Sequence, residues 1–213
     1  MNQPSPTLIC FAVKEEAKFL GPTPLRVLIT GIGRANAARS LRRTLDSTRP
    51  ELVLTCGFAG GLNPEIPFGA IVFDEDFAAG LSARLLELGA VPARFYCAKR
   101  VAVTAAEKRA LWESTGADAV EMESSVIRTI CREYRIPSAT IRVISDAADD
   151  DLPLDFNALM TSNDRINYAK LIWSLFSSPQ KIPQLMKFQE QTIEAARKLD
   201  EALKGLLGIR RRP

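Results

Sequence analysis

Apolar residues fall into short runs separated by polar and glycine-rich segments. Leu8 to Ala12, Leu25 to Thr30, Glu51 to Cys56, Ala70 to Phe73 and Ser138 to Ile144 are brief and apolar or β-branched, the pattern of buried strands. Between them the spacing turns helical. Ala35 to Leu45 places Ala38, Leu41 and Leu45 on one face, and Glu123 to Tyr134 forms a second helix that ends ahead of Pro137. Thr104-Ala105-Ala106-Glu107 has the spacing of a capping box, so a helix begins there. Ala119 to Met122 reads as the end of a strand. Gln184 to Leu207 repeats apolar residues at Leu185, Phe188, Ile193, Ala196, Leu199, Leu203 and Leu206, which predicts a long amphipathic helix. Arg165 to Phe176 predicts another before it, with Pro179 and Pro183 as breaks. Over 74–100 the pattern supports only a helix at Leu81–Leu88 and a strand at Arg94–Ala98. Strands alternating with helices predict an α/β domain with a mainly parallel sheet.

Composition narrows the chemistry. A length of 213 residues suits one domain, and 46% hydrophobic with 25% charged residues excludes bulk disorder. The net charge, 28 − 25 = +3, is too small to argue for nucleic acid or a membrane surface. The count of zero His excludes Ser-His and Cys-His nucleophile pairs and every His metal ligand. Acid–base work falls to Asp, Glu, Lys, Tyr or Cys. Cys10, Cys56, Cys97 and Cys131 form no paired motif and read as buried thiols of a reducing compartment. No apolar run approaches ~18 residues and no secretory leader pattern is visible, so a cytoplasmic location and no metal are the expectations.

In open α/β sheets, ligands gather where strands end. Four such ends carry unusual residues. Lys14-Glu15-Glu16 follows the first strand, either as a solvated first helical turn or as a source of a functional acid. Gly57-Phe58-Ala59-Gly60-Gly61 follows the third strand as a glycine turn, either a tight bend or a row of N–H groups facing a ligand. It matches neither a dinucleotide fingerprint nor a P-loop. Glu121 and Glu123 flank Met122, so helix-start acids and a cleft-facing acid both fit. Asp146 ends an apolar strand, where a charge is costly unless it caps a helix or does chemistry.

Taken together and in order, these segments resemble the nucleoside phosphorylase and nucleosidase superfamily. The resemblance rests on Ala12-Val13-Lys14-Glu15-Glu16-Ala17, Thr30-Gly31-Ile32-Gly33-Arg34-Ala35-Asn36-Ala37-Ala38, Gly57-Phe58-Ala59-Gly60-Gly61-Leu62, Val120-Glu121-Met122-Glu123-Ser124 and Arg142-Val143-Ile144-Ser145-Asp146. It implies a single three-layer α/β domain over residues 1–213, with a mixed central sheet, a core over about 8–150 and a C-terminal helical extension over about 160–207. It also implies cleavage of a nucleoside N-glycosidic bond by phosphate or water, with no cofactor beyond phosphate as a co-substrate, in a homodimer or higher homo-oligomer.

Carried over by position, Asp146 serves the departing purine, with Ser145 beside it. Glu123 holds the ribose hydroxyls, with Met122 beneath the sugar and Glu121 adjacent. Glu16 positions the attacking water, and Phe58, Ala59 and Gly60 line the pocket. Phe58 stands where many phosphorylases carry a small hydroxyl residue, which favours water over phosphate. Arg34, Arg84 and Arg142 are the candidate phosphate ligands. The short middle, Ser145-Asp146-Ala147-Ala148-Asp149 and the tail from Ser178-Pro179 to Leu199 resemble a compact subgroup, the hopanoid-associated phosphorylases. That subgroup implies removal of adenine from a lipid-tailed adenosine. An apolar entrance is then expected from Phe58, Phe68, Leu171, Ile172, Leu175 and Phe176. The competing expectations are a phosphorylase, a methylthioadenosine/S-adenosylhomocysteine nucleosidase, and a nucleoside-binding protein without turnover.

Overall fold

A computed structural model describes residues 7–21, 25–159, 161 and 182–208. The strands are β1 (Thr7–Phe11), β2 (Arg26–Ile29), β3 (Leu52–Gly61), β4 (Ile71–Glu75), β5 (Val91–Pro92), β6 (Phe95–Cys97), β7 (Ala119–Glu121) and β8 (Ser138–Asp146). The helices are α1 (Arg34–Leu45), α2 (Ser82–Glu87), α3 (Ala105–Thr115), α4 (Ser124–Glu133), α5 (Phe156–Leu159) and α6 (Ile182–Leu207). The sheet order is β2-β1-β3-β8-β4-β5, with β7 bridging the end of β3 to β6. Strands β2, β1, β3 and β8 run parallel, whereas β4 runs antiparallel to β8 and β7 antiparallel to β3. Among the described residues five strand pairings are parallel and two antiparallel, so the sheet is mixed and mainly parallel, as the strand–helix alternation and the family resemblance lead one to expect. Strand β4 follows β3 through a loop without a helix, which frees it to run antiparallel to β8.

Side chains alternate across the sheet with period two. Leu8, Cys10 and Val53 face α1 and α4, packing on Leu41, Leu45, Ile127 and Ile130. Ile9, Phe11, Leu54 and Cys56 face the other way, against Ala195, Leu199 and Leu203 of α6. Two helical layers thus sandwich the sheet. The inner face of α1 uses Ala37, with Ala38 at its margin. Helix α3 opens with the expected capping box, in which Glu107 N–H donates to Thr104 Oγ1 and Glu107 reaches back to the Thr104 N–H. All four cysteines are free and buried. Among the described residues no helix is long and apolar enough to cross a membrane. The expected helix over Arg165–Phe176 and the break at Pro179 lie outside the described residues.

The glycine segment is not a turn. Strand β3 runs straight through Gly57–Gly61, because β8 is nearly as long and pairs with it from Val53 to Gly60. The register slips once: Ala59 pairs with Ile144 and Gly60 with Asp146. Ser145 is the extra residue of this bulge. Bulges re-aim side chains at strand ends, and this one sets the direction of Asp146.

Candidate active site

Four carboxylates, Glu16, Glu121, Glu123 and Asp146, meet where β1, β3, β7 and β8 end. Glu16 lies in a tight turn after β1, and its side chain folds back into the protein instead of reaching solvent. Its Oε2 accepts the N–H groups of Ala12 at 2.8 Å and Val13 at 3.1 Å, and its Oε1 accepts that of Phe58 at 2.9 Å. Burial pushes its carboxyl above the ordinary range, against the pull of Arg142 and of those N–H groups. The approach to β3 is close enough to require glycine. A Cβ on Gly57, at φ +152°, would lie 2.3 Å from Glu16 Oε1 and 3.0 Å from an Arg142 nitrogen. Gly57→Ala is expected to lower stability by ~1–3 kcal/mol, as overpacking does, and to displace Glu16. Thermal unfolding with an activity assay checks both; an unchanged melting temperature and rate would contradict the packing argument.

Glu121 and Glu123 point to different tasks. Glu121 ends β7 and caps α4. Its Oε2 accepts the N–H groups of Glu123 at 2.9 Å and Ser124 at 2.7 Å, and its Oε1 accepts Ser124 Oγ at 2.7 Å. Arg142 Nη2 donates to the same Oε2 at 2.8 Å. Burial opposes ionisation of Glu121, but Arg142 and these donors outweigh it and hold the carboxyl below the ordinary range. Glu123 occupies the N-cap position of α4 without capping it. Its Oε1 accepts the Gly33 N–H at 2.7 Å, and its Oε2 stands 3.9 Å from Arg142. Burial raises its pKa to about 7, with Arg142 pulling it down and Glu121 and Glu16 pushing it up. Glu121 is committed to the scaffold, and Glu123 keeps Oε2 toward the cavity with only a distant cation.

Asp146 lies at the opposite wall. Ser145 Oγ donates to its Oδ1 at 2.8 Å. Its Oδ2 accepts no hydrogen bond and faces Gly60, where a Cβ would be 3.2 Å away. Lys108 Nζ lies 2.5 Å from Oδ2, while its well-aligned hydrogen bonds go to the carbonyls of Ala147 at 2.7 Å and Asp150 at 2.9 Å. No helix follows β8 directly, so the capping role open to Asp146 in the sequence is not taken up.

These groups open on one cavity of about 240 Å³, bordered by every candidate site residue: Glu16, Phe58, Ala59, Gly60, Glu121, Met122, Glu123, Ser145 and Asp146. Phe156 and Phe188, on α5 and α6, close its outer side. A second cavity of about 560 Å³ shares both phenylalanines and continues along α6 past Leu185, Ile193 and Ala196. Neither phenylalanine was singled out for the site in the sequence, since Phe188 registered only as part of a helical stripe. Lys108 was missed altogether, hidden among the polar residues of α3.

Other expectations shift. Phe68 packs into the core beside α6, under the Lys198 ammonium, and does not border the first cavity. Leu171, Ile172, Leu175 and Phe176 lie outside the described residues. Arg84 pairs with Glu87 at 2.9 Å on the surface, and Arg34 donates to the Cys97 carbonyl. Arg142 is buried at the centre of the three glutamates, within reach of Thr55 Oγ1 at 3.2 Å. Burial opposes its charge, but the glutamates raise its pKa further above the arginine norm.

A profile described as the phosphorylase superfamily matches residues 19–92 and 73–177. The chain belongs to the phosphorylase superfamily. Among curated members, a 5′-methylthioadenosine/S-adenosylhomocysteine nucleosidase of Glaesserella parasuis is 26% identical over 193 aligned residues, covering 75% of this chain and 84% of that protein. Solved superfamily structures share the fold. A futalosine hydrolase mutant of Helicobacter pylori superposes with a TM-score of 0.67 at 16% identity, covering 95% of this chain and 98% of that one. The methylthioadenosine/S-adenosylhomocysteine nucleosidase of Colwellia psychrerythraea, in complex with adenine, gives 0.68 at 19% identity, covering 97% and 96%. The mixed sheet with a long C-terminal helix is the superfamily fold.

Proposed function

We propose that the chain is an N-ribosyl hydrolase that cleaves a purine nucleoside bearing an apolar 5′ substituent and releases adenine. The observation that carries this reading is the convergence of Glu16, Glu123 and Asp146, all buried, on one cavity in a chain without histidine. Cleavage builds positive charge on the sugar and negative charge on the base. Asp146 is placed to serve the base through Oδ2. Glu123 Oε2 accepts ribose hydroxyls and offsets the sugar charge, with Met122 packed beneath. Glu16 orients and deprotonates the attacking water, its raised affinity for a proton suiting a general base. Ala59 and Gly60 let backbone approach the ligand closely.

Water is favoured over phosphate because, among the described residues, no arginine at this cavity is left for an anion. Arg142 pairs with Glu121 at 2.8 Å and Arg100 with Glu107 at 2.7 Å. The apolar 5′ substituent is supported by the second cavity, which continues past Phe156 and Phe188 between hydrophobic side chains. Its volume of about 560 Å³ and its apolar lining suit a long hydrocarbon, as in an adenosylhopane-like substrate, better than a methylthio group. The reaction needs no metal or cofactor, so EDTA is expected to leave the rate unchanged.

The test is adenine release, followed by chromatography, from methylthioadenosine and from adenosine carrying a long 5′ alkyl chain, each with and without phosphate. Release without phosphate and preference for the long chain are expected. Release only with phosphate would make the protein a phosphorylase, and binding without release would make it a nucleoside-binding protein. A pH profile adds a second check. Glu123 must be ionised to accept hydroxyl protons, so kcat/KM is expected to fall as pH drops below about 7. Glu123→Gln should weaken ribose binding and remove that limb; a variant that keeps the limb would move the assignment to another acid.

A further inference from the structure

Lys108 is a buried titratable group with no part in the scheme above. It is fully buried on α3, the costliest location for an ammonium. Its three donors meet the Ala147 carbonyl at 2.7 Å, the Asp150 carbonyl at 2.9 Å and Asp146 Oδ2 at 2.5 Å. The other charged groups nearby are engaged elsewhere. Asp150 Oδ2 accepts the Ala147 N–H, Asp149 stands 3.8 Å from Arg109, Glu107 pairs with Arg100, and Asp151 accepts the Ala105 N–H. The two carbonyl bonds would suffice to pin the loop after β8 to α3. The third neighbour is Oδ2 of Asp146, a residue that borders the cavity, and apart from the lysine that oxygen has no polar partner.

An Asp146 paired with an ammonium is a carboxylate, and a carboxylate has no proton to give a departing base. We propose that Lys108 is the proton source for Asp146, a positioning residue that acts on the base only through that carboxylate. The inference rests on the nucleosidase reading. Substrate closes the cavity and excludes water, which favours a neutral pair over two charges. One proton then moves from Lys108 Nζ to Asp146 Oδ2, leaving an amine and a carboxylic acid. The C1′–N bond breaks with its electron pair going to the base, and Oδ2 passes the proton to a ring nitrogen. Water bonds to C1′ and its proton goes to Glu16. After release, Lys108 regains a proton as Glu16 loses one, so no charge accumulates over a turnover.

The test uses the full chain with methylthioadenosine and long-chain 5′-alkyl adenosine. Lys108→Gln can still donate to both carbonyls but has no proton to transfer. It is expected to lose about 10²-fold in kcat at pH 8, the lower end of what general acid catalysis contributes. The gap between its rate and that of the wild-type protein should narrow toward acid pH, where solvent can supply the proton that the lysine no longer does. Lys108→Arg keeps a cation that does not deprotonate and should lose as much. A loss independent of pH, no loss, or full rescue by Arg would each overturn the proposal and leave Lys108 a structural staple. Should neither variant fold, the wild-type protein still decides. Its kcat should stay level from neutral to mildly alkaline pH, whereas a decline upward from the ordinary carboxylate range would mean that solvent supplies the proton. Absence of adenine release by the wild-type protein on either substrate would overturn the nucleosidase reading itself, and the proposal with it.

Discussion

Asp146→Asn is expected to reduce kcat for adenine release by about 10²–10⁴-fold, the range general acid catalysis supplies, with a much smaller change in KM. Asparagine keeps the shape of the side chain and can donate a hydrogen bond, but it cannot pass a proton to the base. The ribose side of the site is untouched, because Glu123 and Glu16 take their hydrogen bonds from Gly33, Ala12, Val13 and Phe58. Removing one partner of a buried ion pair commonly costs about 3–5 kcal/mol. Here Lys108 keeps the Ala147 and Asp150 carbonyls, so the loss of stability should fall below that range. Single-turnover rates and thermal unfolding of the same preparation separate chemistry from folding. Near-native turnover in this variant would remove Asp146 from the reaction.

The elements that build this site were legible to different depths. Strands β1, β3 and β8 stood out because parallel strands covered on both faces read as continuous apolar runs. The α3 start was readable because the capping box is a local arrangement of four residues, and it holds as a hydrogen-bonded pair between Thr104 and Glu107. The β3 glycines misled because glycine composition signals a bend only when no neighbour holds the strand extended. Here β8 does so, and Gly57 is needed for the close approach of Glu16. The two-residue strand β5 contains Pro92 and pairs only at an edge, so no periodicity marked it. The acids were found by their position at strand ends, but their division of labour was not. Whether Glu121 or Glu123 faces the cavity depends on Arg142, twenty-one residues away in sequence from Glu121 and in direct contact with it. Lys108 escaped for the same reason: its burial is imposed by the packing of α3 on the loop after β8, which no local pattern encodes.

Arg142→Met is expected to be the most destabilising of these substitutions. Among the described residues Arg142 is the one cation between Glu16, Glu121 and Glu123, and methionine would leave three buried carboxylates without it. Breaking such a cluster costs about 3–5 kcal/mol. The pH dependence distinguishes this cause from a simple packing defect. Glu121 has its carboxyl held below the ordinary range when folded, so it adds stability above that range and loses it as pH falls through the lowered value. Glu16 and Glu123 are raised, so the folded state binds protons more tightly there, and stability falls as pH rises toward about 7 for Glu123. Without the guanidinium, Glu121 loses its stabilising partner and the other two become still harder to ionise. The gap in unfolding free energy between wild type and Arg142→Met should therefore be wide at pH 8 and narrow toward pH 5, where the carboxylates of the variant take up protons. Urea unfolding at both pH values measures it. A gap of equal width at the two would mean that Arg142 fills space, and that the charge balance of the site is set elsewhere.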